Sequence, residues 1–215
     1  MKILIAIASL SIFAPALGQT DPGSADPGAR YLFYLHGRII EDGEPRPTHE
    51  VWGLYDYPAV VDALGSRGAV VVSEQRAQDT DIADYAAMVR GQISRLIEAG
   101  VPQSRISVVG FSKGGAIAIA VSAGMPEDLS SIRYVFLAAC ADWVSEQTDL
   151  SLSGNVLSIS EASDDTTKGC RGLDEQSQHL ESSSEMSINT GESHGAFYLP
   201  RVEWLVPTLE WVHAD

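Results

Sequence analysis

The sequence is poor in cysteine and in positive charge. Its 215 residues contain two cysteines, Cys140 and Cys170, whose spacing fits no zinc signature. No cluster of His, Asp and Cys with ligand spacing stands elsewhere, so neither a metal nor an organic cofactor is expected. The 14 Lys and Arg face 29 Asp and Glu, a formal net charge of −15, and that field would repel nucleic acid. The acidic residues are scattered, which favours solubility over a dedicated cation site. Glycine loops that cradle phosphate are missing as well. G-x-G-x-x-G does not occur, and a P-loop would need Lys and Ser or Thr directly after Gly115, where Ala116 and Ile117 stand. There is no internal repeat and no low-complexity tract.

No uninterrupted apolar run is long enough to span a bilayer comfortably. The opening stretch MKILIAIASLSIFAPALGQ has one Lys, an apolar run, Pro15 and small residues up to Gly18, the build of a secretory signal peptide over residues 1–18. A membrane anchor is the alternative, and Pro15 argues against it. The expectation is therefore export, to the periplasm or outside the cell, with no membrane span after cleavage. Losing Lys2 takes the formal charge from −15 to −16. Residues 19–30 (QTDPGSADPGAR) read as a flexible leader, and residues 31–215 as one domain large enough to bury its own core. Nothing in the sequence specifies an oligomeric state.

From Tyr31 onward, apolar runs alternate with helical patterns. Strands are predicted over 31–37, 69–75, 106–111, 133–140, 155–162 and, briefly, 186–190; helices over 57–68, 81–100, from Ala116 to about Ser122, and from Arg201. Continuous apolar strands separated by helices predict an α/β fold, a mostly parallel sheet with helices on both faces. Functional residues should then lie beyond the carboxyl ends of the strands. His36, Glu74, Arg76, Ser112, Asp164, Asp165 and His194 all do.

Among these, Gly110-Phe111-Ser112-Lys113-Gly114 carries the sharpest signal. G-x-S-x-G arises by accident in about one chain in ten of this length, so its context decides. A buried strand precedes it and a small-residue helix follows, and a turn that sharp strains the residue at its apex and requires small neighbours two positions away. Gly110 and Gly114 meet that requirement. A serine nucleophile needs a base and an orienting acid. His194, in GESHGAFY, follows the last strand and fits the chain order Ser, Asp, His. His36 is expected to hold a loop, while His49, His179 and His213 are expected to be merely exposed.

GFSKGG, the His36-Gly37 pair after the first strand, an acid after NVLSISEASDD, and SHG before the final helix together resemble the α/β-hydrolase superfamily, over nearly all of residues 31–215. The resemblance implies a minimal form of that fold with no large cap; the sequence departs from the full fold in lacking its opening antiparallel strands. In the superfamily the acid commonly follows an aromatic or His, a Gly and two residues; laid on Ser160-Glu161-Ala162-Ser163-Asp164, this puts Asp164 in the acid position, with Asp165 as the alternative. It further implies that Ser112, His194 and the acid cleave a carboxylic ester of a small molecule. The oxyanion would be held by the backbone N–H of Lys113 and one from Arg38 or Gly37. Since these donors are backbone groups, replacing their side chains should show little. Thioester, peptide or acyl-transfer chemistry can use the same triad, and a non-catalytic binding protein could keep the fold.

Two further readings concern specificity and stability. The loop from Arg38 to Tyr57, with Pro45, Pro47, Trp52 and two tyrosines, could wall a pocket. Arg38 and Arg76, at strand ends, could bind an anionic substrate group or form surface ion pairs with Glu41 or Glu74. An even pair of cysteines in an exported chain is expected to form a disulfide. Cys140 ends one predicted strand and Cys170 follows the next, so the two can meet if those strands are neighbours; the alternative is two separate thiols, with Cys170 exposed.

Overall fold

The computed structural model describes residues 25–145 and 150–214. The expected signal peptide and the leader up to residue 24 lie outside the described residues. Ala25 and Ala29, in the last part of that leader, pack against the core.

In chain order the elements are β1 (Tyr31–Leu35), a 3-10 turn (Arg38–Asp42), β2 (Thr48–His49), β3 (Gly53–Leu54), α1 (Tyr57–Leu64), β4 (Val70–Val72) and α2 (Ile82–Glu98). They continue with β5 (Ile106–Phe111), α3 (Lys113–Ala123), β6 (Arg133–Leu137), α4 (Asp142–Ser145), β7 (Ser153–Glu161), α5 (Arg171–Gln176), β8 (His179–Ile188) and α6 (Val202–Val212). Six strands form one sheet in the order β4-β1-β5-β6-β7-β8, and every neighbouring pair in it is parallel. β2 and β3 form a separate antiparallel hairpin. The strand order reverses between β1 and β5, so the crevice at their carboxyl ends is where a ligand site is expected in such sheets.

Side chains alternate across the sheet, as the pleat requires. Tyr31, Phe33 and Leu35 of β1 face α2 and α3, packing with Val89, Ile93 and Ile117. Leu32 and Tyr34 face α1 and α6, packing with Val60, Leu64, Trp204 and Leu209. Covered on both faces, β1, β5 and β6 read as unbroken apolar runs. Helix starts follow their caps: the carboxylate of Asp56 accepts from Ala59 N at 3.2 Å and that of Asp81 from Asp84 N at 2.9 Å.

The β2–β3 hairpin was not expected, β6 stops at Leu137 short of the predicted 140, and β4 and β8 differ most. β4 is confined to Val70–Val72, since it is an edge strand paired on one side only. β8 is ten residues long, twice the segment predicted, and pairs along the whole of β7. Its side chains are mostly exposed, so hydropathy marks only its end, around Met186.

Candidate active site

The crevice is built around a forced turn. Ser112 lies between β5 and α3 with φ +53° and ψ −118°, a left-handed backbone that an L-residue adopts only under constraint. The constraint is lack of space. A Cβ on Gly110 would meet Gly114 O at 2.2 Å, and one on Gly114 would meet Leu35 O at 1.9 Å. One on Gly115 would meet Ala139 Cβ at 2.4 Å. α3 is thereby pressed against the ends of β1, β5 and β6, and Ser112 stands at the apex, half-buried.

His194 reaches Ser112 from the loop after β8. Its Nε2 lies 2.9 Å from Ser112 Oγ and its Nδ1 2.7 Å from Asp164 Oδ2. These partners define the tautomer: Nδ1–H donates to the carboxylate and Nε2 accepts from the hydroxyl. The imidazole is buried between Trp52 and Phe111, both with ring centroids 4.9 Å away. A Cβ on Gly195 would strike Trp52 O at 2.8 Å, and Ser193 before the histidine has φ +51°. The loop is thus held in one strained shape.

Asp164, not Asp165, faces the imidazole; Asp165 is exposed. Besides His194, its carboxylate accepts from Thr166 N (2.9 Å), Thr166 Oγ1 (2.6 Å) and Thr167 Oγ1 (2.6 Å). Burial would raise the Asp164 pKa, but the hydrogen bonds from His194, Thr166 and Thr167 outweigh it and hold the carboxyl well below the ordinary range. The group is ionised at neutral pH.

The expected backbone donors sit on adjacent strand ends. Lys113 opens α3, whose first-turn N–H groups have no intrahelical acceptor. Arg38 opens the 3-10 turn after β1. Of the two alternatives on that side, the N–H of Gly37 points to Tyr55 Oη at 3.4 Å, and Arg38 is the other. Gly37 also matters for space, since a Cβ there would meet the Phe111 ring at 2.9 Å.

A cavity of about 450 Å³ opens over Ser112 and His194, small enough for a modest ligand. His49, Trp52, Phe111 and Tyr198 form its aromatic wall, and Arg38 and Gln78 its polar rim. The β2–β3 hairpin supplies His49 and Trp52, stacked with centroids 4.1 Å apart. The long loop therefore does wall the pocket, and His49, read as merely exposed, belongs to it. Arg38 remains exposed, paired with Asp79 at 3.5 Å. Arg76 is corrected: its side chain is fully buried, its Nε donates to Glu41 Oε1 at 3.1 Å, and its backbone N–H donates to His36 Nε2 at 2.9 Å. It does not line the cavity. His36, wholly buried, donates from Nδ1 to Gly37 O at 2.8 Å; burial first and the Arg76 charge second lower its pKa to about 3.

Two carboxylates that carried no functional reading lie directly behind these groups. Glu161, at the end of β7, is 2% exposed and accepts from Ser163 N and Oγ, Thr190 N and Oγ1, and Gly191 N. It thereby joins the loop bearing Asp164 to the loop bearing His194. Glu41 accepts from Lys113 Nζ at 2.7 Å as well as from Arg76. An acid at the end of an otherwise buried strand was the available signal for Glu161; for Glu41 the sequence offered only an ion pair with Arg38 or Arg76 as one of two readings. Cys140 and Cys170 form a disulfide with Cα atoms 5.4 Å apart, both sulfurs emerging beyond the neighbouring strands β6 and β7, and both residues are buried.

Residues 69–151 match the model of the Phospholipase/Carboxylesterase family. Among curated proteins none matches. Several solved structures share the architecture. SOBER1 of Arabidopsis thaliana is 12% identical, with a TM-score of 0.55 over 86% of this chain and 97% of its own. An arylesterase is 14% identical, with a TM-score of 0.59 over 85% of this chain and 74% of its own. Est1E of Butyrivibrio proteoclasticus is 14% identical, with a TM-score of 0.54 over 87% and 86%. At these identities the likeness is one of fold.

Proposed function

From the α/β-hydrolase fold and the match of residues 69–151 to the Phospholipase/Carboxylesterase model, we propose that the protein is a serine hydrolase of carboxylic esters. One observation carries the reading: the continuous line Ser112 Oγ to His194 Nε2 (2.9 Å) and His194 Nδ1 to Asp164 Oδ2 (2.7 Å), ending on a serine held in strained backbone. The esterase names among the family and fold relatives support the choice of ester over other acyl substrates.

In this reading Ser112 Oγ attacks the ester carbonyl while His194 Nε2 takes its proton. Negative charge develops on the carbonyl oxygen, and the N–H groups of Lys113 and Arg38 stabilise it. His194 then gives its proton to the departing alkoxide, leaving an acyl-serine. Water, deprotonated by the same Nε2, attacks the acyl-serine; the acid departs and the proton returns to Ser112. Asp164 keeps Nδ1 protonated and stabilises the imidazolium. Export of the mature chain, with the bridge formed in an oxidising compartment, belongs to the same proposal.

A fluorophosphonate probe tests it. The mature protein should take up one label per chain, and Ser112→Ala should take up none. Folded wild-type protein that resists the probe and hydrolyses no short-chain ester would leave a binding protein in its place.

A further inference from the structure

The mechanism above uses the backbone of Lys113 and Arg38 and leaves their surroundings unexplained. Chief among these is Glu41, whose side chain is 1% exposed in its ion pairs. A buried carboxylate is costly unless compensated, and this one has two cations. Its Oε1 meets Arg76 Nε at 3.1 Å and its Oε2 meets Lys113 Nζ at 2.7 Å. The Arg76 side chain is fully buried and that of Lys113 is 17% exposed. Arg76 in turn donates from Nη2 to His36 O and from its backbone N–H to His36 Nε2, and His36 closes on Gly37 O.

Followed end to end, these contacts connect the first residue of α3 with the turn that follows β1. Those are the two places from which the expected oxyanion donors emerge, and they belong to different strand ends. Backbone donors stabilise a developing charge only if their separation is fixed before the charge appears. Neither segment is regular enough to fix it alone: one is a single 3-10 turn, the other the open first turn of a helix.

Resting on the serine hydrolase reading, we propose that Glu41 is a positioning residue of the oxyanion hole, tying the ammonium of Lys113 to Arg76 and, through Arg76, to the His36–Arg38 turn. The lysine side chain, not only its backbone, then matters to turnover, contrary to what the sequence alone suggests.

The test measures turnover per active site. Wild type and Glu41→Gln are titrated with the fluorophosphonate, and kcat and KM for a short-chain nitrophenyl ester are referred to labelled sites. Affinity for a trifluoromethyl ketone, whose hemiketal oxygen needs the same donors, is measured in parallel. In Glu41→Gln, kcat per site should fall about 10- to 100-fold, with KM changed by no more than about twofold. Ketone affinity should fall with kcat. A variant that only lowers the labelled fraction, with per-site kcat and ketone affinity unchanged, assigns Glu41 a structural role and overturns the proposal. Should Glu41→Gln not fold, Lys113→Met cuts the tether while leaving the Arg76–Glu41 pair intact. It should lose about 10-fold in kcat per site and in ketone affinity, and wild-type values for both would equally overturn the proposal. Failure of the wild type itself to label or turn over is a different result, since it removes the serine hydrolase reading.

Discussion

Two buried carboxylates stand behind the Ser112–His194–Asp164 line, and they are made tolerable by opposite means. Glu41, behind the proposed oxyanion side, is held by two cations. Glu161, behind the acid side, is held by five neutral donors from Ser163, Thr190 and Gly191. Burial alone would raise the Glu161 pKa, yet those hydrogen bonds hold it below its ordinary value. Ionic compensation reaches across long side chains and can join segments that do not touch. Neutral compensation needs backbone amides already bent around the carboxylate, and so it fixes loop shape. The acid side also carries the Cys140–Cys170 bridge, and the oxyanion side has no covalent brace, the chain having no other cysteines.

The comparison can be broken most severely at the acid itself. Asp164→Asn should lower kcat roughly ten-thousandfold by favouring the wrong imidazole tautomer, while Asp165→Asn should leave kcat unchanged in the same ester assay. Next in size is the bridge: reducing a cross-link that closes a 30-residue separation should remove about 3 to 4 kcal/mol of stability, read by urea unfolding with and without reductant. Glu161→Gln should cost about 2 to 3 kcal/mol, because an amide NH₂ would confront N–H groups that need an acceptor. That loss should appear in the same unfolding curves.

The remaining effect, comparable in size to the last, separates the two sides by pH. His36, on the Glu41 side, has its pKa lowered from 6.5 to about 3. The unfolded chain therefore binds a proton that the native state refuses, and stability falls as pH drops from 6.5 towards 3. Glu161 has a folded pKa below its ordinary 4.5, so its contribution is complete above 4.5 and is lost only as pH falls further. His36→Gln should flatten the slope of unfolding free energy between pH 6.5 and 4.5 and leave the steeper loss below 4.5, as measured by denaturant titration at each pH.

Much of this was legible in the chain because buried strands and tight turns write themselves in residue type. The runs around Phe33, Val108 and Val135 announce a doubly covered sheet, and Gly110 and Gly114 announce the elbow. The approach of His194 and Asp164 to Ser112 follows from strand ends in the right order. Only the end of β8, around Met186, was legible, because the rest of an exposed edge strand has no hydrophobic signature. Arg76 was left open between a substrate group and an ion pair because a strand-end arginine looks the same in sequence either way; it pairs with Glu41, as the second reading had it, but in the interior and not at the surface. Glu161 stands where the superfamily pattern places a glycine, and its role depends on donors 2 to 30 residues away that sequence order does not bring together.

The crowding at the elbow has an evolutionary consequence. Gly110, Gly114 and Gly115 have no room for a methyl group, so substitution at these three positions is closed off by sterics, whatever the enzyme acts upon. Position 113 is under no such constraint, its side chain leaving the helix towards Glu41 and partly towards solvent. Among descendants of the same ancestor the glycines should persist unconditionally, whereas a lysine at 113 should persist only in lineages that keep an acid at 41. Joint loss of the two would be the trace of a tether given up as a unit.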